Sequence, residues 1–186
     1  MVTLAALWLP ILLSAIGVFV VSSLIHMALP IHKSDYHKLP REAETMEHLR
    51  RDPLPPGIYA IPYCTDGKEM SSPATREKYE KGPVAMLTVR PSGMPSMTGF
   101  LGQWFVYCAV VAFFTAYLAA HTLTSGAHYL AVFRVVGTCA FMAYGIGSLP
   151  SSIWGGHPWS VTAKHVVDGL VYACVTAGFF GWLWPR

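Results

Sequence analysis

Residues 3–29 read TLAALWLPILLSAIGVFVVSSLIHMAL and contain no Asp, Glu, Lys or Arg. A charged side chain costs about 2.5–3.5 kcal/mol at the centre of a membrane helix, so uncharged stretches of this length are typical of membrane spans. About 20 apolar residues suffice to cross the hydrocarbon core. The stretch has no basic residue before its apolar run and no small-residue cleavage site, unlike a secretory signal. We therefore interpret it as a retained membrane anchor.

The charged residues of the chain are concentrated in one region. Of the 23 Asp, Glu, Lys and Arg residues, 19 lie between Lys33 and Arg90. Three more apolar windows follow this region, at 99–121, 129–149 and 165–184. Each is predicted to be a helix, because a helix satisfies its own backbone polar groups in hydrocarbon. The sequence thus predicts an all-α membrane protein, a four-transmembrane-helix bundle divided into helix 1 (1–30), a polar insert (31–98) and helices 2–4 (99–186).

The polar insert has the pattern of a small α+β module. A first helix is predicted to end at Arg50-Arg51, and a second to begin after Ser72, with Pro73 as its first residue and Gly82 at its end. Residues 58–63 and 84–89 are typical of two short strands. A module of this size cannot bury a substantial core by itself. We expect it to pack on the membrane helices or on a partner.

Basic residues near the predicted spans indicate the orientation. Lys33, Lys38 and Arg41 follow the first span and Arg90 precedes the second, whereas the N-terminus has no basic side chain. Basic residues are enriched in cytoplasmic loops. The sequence therefore predicts a cytoplasmic insert, with the N- and C-termini outside.

The composition excludes two other classes of protein. The ten basic and nine acidic residues of the insert are interleaved, so they form no basic face, and nucleic-acid binding is not expected. Of the four cysteines only Cys64 lies in the insert, while Cys108, Cys139 and Cys174 lie in predicted helices. A disulfide framework is therefore excluded.

Small residues recur along the fourth apolar window. Gly169, Ala173, Ala177 and Gly181 are spaced four residues apart and share one helix face. Small faces let helices approach closely inside a bilayer, where apolar burial does not drive association. We expect this ridge to pack helices within the bundle. The alternative is self-association, or binding to other membrane subunits, through the same ridge.

Histidines at predicted helix ends are candidate ligands. His26 and His165 lie on different helices at the same predicted surface, and such a pair can ligate haem b iron axially. His32, Asp35 and His37 lie close in sequence and suit a transition metal, with Cys64 as a further candidate. The alternative is that these histidines are amphipathic residues of the membrane interface.

Two charges fall inside predicted spans. Arg134 and Asp168 are candidates for function because ionisable groups in hydrocarbon are costly. They are expected near opposite surfaces, and so not to pair. In a structural role Arg134 extends outward to water, and Asp168 pairs with Lys164 one turn earlier. In a functional role Asp168 is a proton or cation site.

Three segments resemble a known group of proteins: IHMALPIHKSDY (25–36), PGIYAIPYC (56–64) and GPVAMLTV (82–89). They resemble blocks in a family of uncharacterised bacterial integral membrane proteins. The resemblance extends through most of the chain. It implies the inner membrane of a bacterium, and it implies no activity, cofactor or catalytic residue.

Three functional hypotheses follow. The first is a non-enzymatic accessory or scaffold subunit of a larger membrane complex, based on the small helix faces and the insert. The second is a haem- or metal-binding redox protein that uses the histidines at the helix ends. The third is a small transporter that uses Asp168.

Overall fold

A computed structural model describes residues 2–186 of the chain. Contacts between residues divide it into two compact units, which are described separately. The helical unit comprises the chain up to Tyr36 together with Ser96–Arg186, and the insert unit comprises His37–Pro95. His32 and Asp35, which the sequence places in the insert, belong to the helical unit.

The described chain is mostly helical, with one small sheet. The helices are α1 (Trp8–Ser23), α2 (Glu42–Arg51), α3 (Gly67–Met70), α4 (Pro73–Lys81), α5 (Met97–Thr122), α6 (Tyr129–Tyr144), α7 (Leu149–Ile153) and α8 (Trp159–Trp182), and the strands are β1 (Gly57–Ile61) and β2 (Ala85–Val89). Helices α1, α5, α6 and α8 build the helical unit, whereas α2–α4 and both strands belong to the insert.

Three helical segments are long and apolar enough to cross a membrane: Leu4–Ala28, Met97–Thr122 and Tyr129–Ile153. The first includes a short 3₁₀ turn before α1 and a π-helical turn after it, and the third combines α6 and α7. The predicted fourth span, 165–184, lies mostly within α8 but is not one of these three. The first half of α8 contains Lys164 and Asp168, and charged groups lower the apolar character of a helix.

The predicted small-residue ridge faces α6 inside the helical unit. A Cβ added to Gly169 would lie 2.4 Å from Gly145 Cα, and one added to Gly181 would lie 2.6 Å from the Tyr129 ring. Ala173 and Ala177, the two ridge residues between them, are buried. The close approach of α8 and α6 therefore depends on the missing side chains at Gly169 and Gly181.

The end of α1 changes its helical geometry before the insert. The chain forms a π-helical turn over Leu24–Ala28 and a 3₁₀ segment over Pro30–Asp35. Pro30 lacks the N–H that a continuing α-helix needs and disfavours helical dihedrals at the residue before it. Leu29 accordingly is extended, with φ −89° and ψ 142°. This break brings His26 and His32 to the same end of the bundle.

The insert unit contains the predicted strands and helix. β1 and β2 pair antiparallel, with Tyr59 opposite Leu87. Helix α4 begins after Ser72, whose Oγ accepts a hydrogen bond from the N–H of Thr75 at 3.2 Å, and it ends before Gly82, where φ is +61°. Thr75 is the one buried residue of 37–95, all of which the structure describes. The unit thus buries very little of its own surface.

Replacing Gly169 with Ala tests the contact between α8 and α6. The added methyl group overlaps the backbone of Gly145, so we expect about 1–3 kcal/mol of destabilisation, in the range for overpacked cores. The matched control is Gly178→Ala on the same helix, where a Cβ meets nothing within 4 Å. Thermal unfolding in detergent measures both. A Gly169→Ala variant as stable as Gly178→Ala would contradict the packing described here.

Candidate metal site

Three elements of the helical unit meet at the end of α1 and the beginning of α8. The π-helical turn provides His26, and the 3₁₀ segment provides His32. Helix α8 provides His165 and Asp168, which lie three residues apart and therefore on one face. Each of the four offers a ligand atom, and these atoms all lie within 4.8 Å of one another. The cluster can therefore hold a metal ion.

The imidazole rings are packed against each other. The rings of His26 and His32 are stacked, with centroids 4.3 Å apart and planes 7° from parallel. The ring of His165 stacks on that of His32 with a centroid distance of 5.6 Å. Asp168 Oδ2 lies 2.9 Å from His32 Nε2 and 3.9 Å from His26 Nε2. The carboxylate thus lies beside two of the three imidazoles.

His32 is held from its other side by Asp35. The Nδ1 of His32 lies 2.6 Å from Asp35 Oδ2, and the Asp35 side chain is only 4% exposed. The Lys164 ammonium donates to Asp35 and, with the His32 contact, holds the pKa of Asp35 below its usual value. Asp35 therefore accepts a hydrogen bond from His32 Nδ1. An imidazole held by a carboxylate in this way binds a metal through its other nitrogen, here Nε2.

His32 Nε2 and Asp168 Oδ2 have no hydrogen-bond partner, although they lie 2.9 Å apart and are both buried. The distance suits a hydrogen bond, but the direction of the ring N–H does not. Two buried polar atoms therefore lie side by side without a hydrogen bond, which is costly. A metal ion bound by both atoms would remove that cost.

Lys164 fixes the 3₁₀ segment against α8. Besides Asp35, its ammonium donates to the Ile31 carbonyl and to Ser34 Oγ, each at 2.9 Å. All three acceptors belong to the 3₁₀ segment itself. The sequence predicts Asp168 as the partner of Lys164, but the structure pairs Lys164 with Asp35. The reason is that Pro30–Asp35 folds back over the first turns of α8, where Asp168 faces the imidazoles.

His26 has looser contacts than His32. Its Nδ1 lies 3.1 Å from the Ser22 carbonyl and 3.5 Å from the Tyr172 hydroxyl. The Trp104 indole N–H donates to Ser22 Oγ at 2.7 Å, which ties α5 to this end of α1. With Nδ1 beside the Ser22 carbonyl, Nε2 is the nitrogen of His26 that lies near the cluster, 3.9 Å from Asp168 Oδ2.

The structure rearranges the two ligand sets predicted from the sequence. His26 and His165, predicted as a haem pair, lie together with His32, which was grouped with Asp35 and His37. Asp35 contacts the Nδ1 of His32 and so supports the imidazole, while Asp168, near Nε2, is the candidate carboxylate ligand instead of Asp35. His37 is the first residue of the insert unit, and Cys64 also belongs to that unit; neither is among the converging residues.

Arg134 lies elsewhere, exposed on α6. It has no part in the cluster of ligands, which agrees with the expectation that Arg134 and Asp168 do not pair. Two repeated spacings in the sequence indicate the site in retrospect: His32 and Asp35, and His165 and Asp168, are both separated by three residues. Either spacing alone is too common to identify a metal site.

Three imidazole nitrogens and one carboxylate oxygen are donors of intermediate hardness. Zn²⁺ accepts both types at about 2.0–2.2 Å in a tetrahedral arrangement, and other first-row transition metals bind the same donors. Comparison with protein-family models, curated proteins and solved structures finds no match for this chain. The chemistry of the cluster therefore rests on its geometry.

Replacing Lys164 with Met tests the support of His32. The change leaves the buried carboxylate of Asp35 without its cation, so we expect destabilisation of about 1.5–3 kcal/mol. Adding Asp35→Asn to Lys164→Met removes the unpaired charge and should restore part of the loss. Thermal unfolding of the wild type, Lys164→Met, Asp35→Asn and the double variant in one detergent gives the coupling energy. Strictly additive effects would show that the two residues do not interact.

Proposed function

We propose that the protein is an integral membrane protein that binds one transition metal ion, with Zn²⁺ as the best fit, through His26, His32, His165 and Asp168. The observation that supports this most directly is the pair of buried, unpartnered atoms, His32 Nε2 and Asp168 Oδ2, 2.9 Å apart. A metal ion accounts for both atoms at once. The support of His32 by Asp35 is the arrangement that commonly orients a metal-binding imidazole.

A single ion is favoured over haem b. Haem with His26 and His165 as axial ligands needs space for the macrocycle between and around those two rings. The imidazole of His32 stacks on both rings, with centroids 4.3 and 5.6 Å away, which leaves little room for a macrocycle beside them. Asp168, close to His32 and His26, adds a hard oxygen donor that suits a small cation better than a porphyrin.

The proposed setting is the inner membrane of a bacterium. Leu4–Ala28, Met97–Thr122 and Tyr129–Ile153 are proposed as three spans because they are long and apolar enough. Helix α8 is proposed as the fourth because it packs on α6 through the small-residue ridge. Lys33 and Lys38 follow the metal site closely in sequence. By the positive-inside rule, the site and the insert that follows it are cytoplasmic, and both termini are outside.

Metal analysis of the protein purified in mild detergent tests the proposal. We expect about one equivalent of Zn²⁺, or of another first-row metal, per chain. His32→Ala and His165→Ala should each abolish stoichiometric binding, because each removes a ligand and leaves the cluster short of donors. The matched control is His121→Ala, an exposed histidine whose Nδ1 contacts only the carbonyl of Tyr117 in its own helix.

Two results would contradict the metal proposal. One is wild-type protein that binds no Zn²⁺, Co²⁺, Ni²⁺ or Cu²⁺ stoichiometrically after chelation and reloading. The other is equal metal content in His32→Ala, His121→Ala and the wild type. A Soret band in the purified protein that is lost in His26→Ala would instead support the haem alternative.

An accessory role in a larger membrane complex remains a second proposal, supported by the insert. Thr75 is its one buried residue, and large apolar side chains lie open on its strands and turns, including Ile58 and Tyr63, each 71% exposed. Surfaces of this kind are more typical of a module that is covered by a partner. The third hypothesis, transport through Asp168 alone, is less favoured because Asp168 forms one cluster with three histidines.

Native mass spectrometry after gentle solubilisation tests the accessory role. We expect a second protein at fixed stoichiometry with the wild-type chain, and its loss when Ile58 and Tyr63 are both replaced with Ser. The matched control replaces Thr88 with Ser, a change of one methyl group on the same sheet. Recovery of the wild-type chain alone under all solubilisation conditions would exclude a stable complex.

A further inference from the structure

The four ligands of the cluster are not equivalent. We infer that His32, His165 and Asp168 are the permanent ligands of the ion, and that His26 is an exchangeable fourth ligand whose position can be taken by a small external donor such as water, hydroxide or a small anion. This inference rests on the proposed metal site. It assigns that site a place for a substrate or external ligand, which a closed four-ligand site does not have.

Exposure separates His26, an exposed residue, from His32, His165 and Asp168, none of which is exposed. The side chain of His26 is 42% exposed, whereas His32 and Asp168 are each 9% exposed. An external ligand can therefore approach the cluster on the side of His26. The opposite side is covered by the 3₁₀ segment, through Asp35 and Lys164.

Distance separates them in the same way. His32 Nε2 lies 2.9 Å from Asp168 Oδ2, which is close to the spacing of two ligand atoms on one small cation. His26 Nε2 lies 3.9 Å from the same oxygen. His26 must move closer to complete a compact tetrahedral site, while His32 and Asp168 are already placed for it.

His26 also has hydrogen-bond partners of its own when it does not bind the ion. Its Nδ1 is within reach of the Ser22 carbonyl and of the Tyr172 hydroxyl, two partners on different helices. It lies on the π-helical turn Leu24–Ala28, and such turns in α-helices are frequent at functional sites. A small change in that turn moves His26 without disturbing α8, which holds His165 and Asp168.

His32 has no comparable freedom. Its Nδ1 is held by Asp35 at 2.6 Å, and Asp35 is held by Lys164, which also donates to the carbonyl of Ile31. An imidazole held by a carboxylate that is itself held in place keeps one orientation. The ion is thus fixed by three protein ligands and presents its fourth position to the side of His26.

Three protein ligands and one exchangeable position are the arrangement of zinc sites that react with or bind external molecules, whereas structural sites are closed by four. Two histidines and a carboxylate are a known ligand set of this open kind. Exchange at the His26 position needs no oxidant or reductant: the incoming donor forms one bond to the ion as the bond to His26 breaks. A water molecule bound there would have a lowered pKa.

Cobalt substitution tests this inference, because the visible spectrum of Co²⁺ reports its coordination. We expect azide to change the spectrum of the wild-type Co²⁺ protein, since it competes with His26 for the open position. His26→Ala should still bind one Co²⁺ per chain with an altered spectrum, and added imidazole should shift that spectrum back towards the wild type. His32→Ala, its matched comparison, should lose stoichiometric Co²⁺ and gain nothing from imidazole.

Each outcome is decisive. Loss of stoichiometric Co²⁺ in His26→Ala to the same degree as in His32→Ala would overturn the inference and leave the four-ligand metal site standing. An unchanged wild-type spectrum with azide would do the same, and this measurement requires no variant to fold. A wild-type protein that binds no Co²⁺ or Zn²⁺ would overturn the metal site itself.

Discussion

Hydrocarbon and a tightly packed helix interior share one property: neither can hydrate a charge or an unpaired polar atom. The chain meets this constraint by placing most of its charged residues between Lys33 and Arg90. Asp168 is an exception, a buried carboxylate on α8. It is compatible with the rest of the structure because three imidazoles lie near it: His26 from the π-helical turn, His32 from the 3₁₀ segment and His165 from α8.

The break at the end of α1 is what creates this surrounding. Pro30 cannot continue the helical hydrogen bonds, and Leu29 before it is extended. After the break, Asp35 of the 3₁₀ segment pairs with Lys164, and His32 Nε2 lies 2.9 Å from Asp168 Oδ2. The same feature therefore explains the support of the site, its buried side and the exposed position of His26.

The close contact of α8 with α6 is the second requirement. Gly169 follows directly after Asp168, and its hydrogen lies where any larger side chain would meet Gly145. Gly169, which allows α8 to approach α6, is thus adjacent in sequence to Asp168, one of the proposed ligands. Packing at Gly169 fixes the height and rotation of α8, and with them the direction of Asp168 and His165.

The features that depend on composition and local chemistry can be predicted from the amino-acid sequence. The absence of charge predicts apolar helices at 3–29, 99–121 and 129–149, and Ser72, Pro73 and Gly82 predict the ends of α4, because solvation and capping are local effects. The pairing of Lys164 with Asp35 and the convergence of His26, His32, His165 and Asp168 depend on the fold. These residues are up to 142 positions apart in the chain (168 − 26 = 142), and only the fold-back after Pro30 and the packing of α8 bring them within reach of one ion.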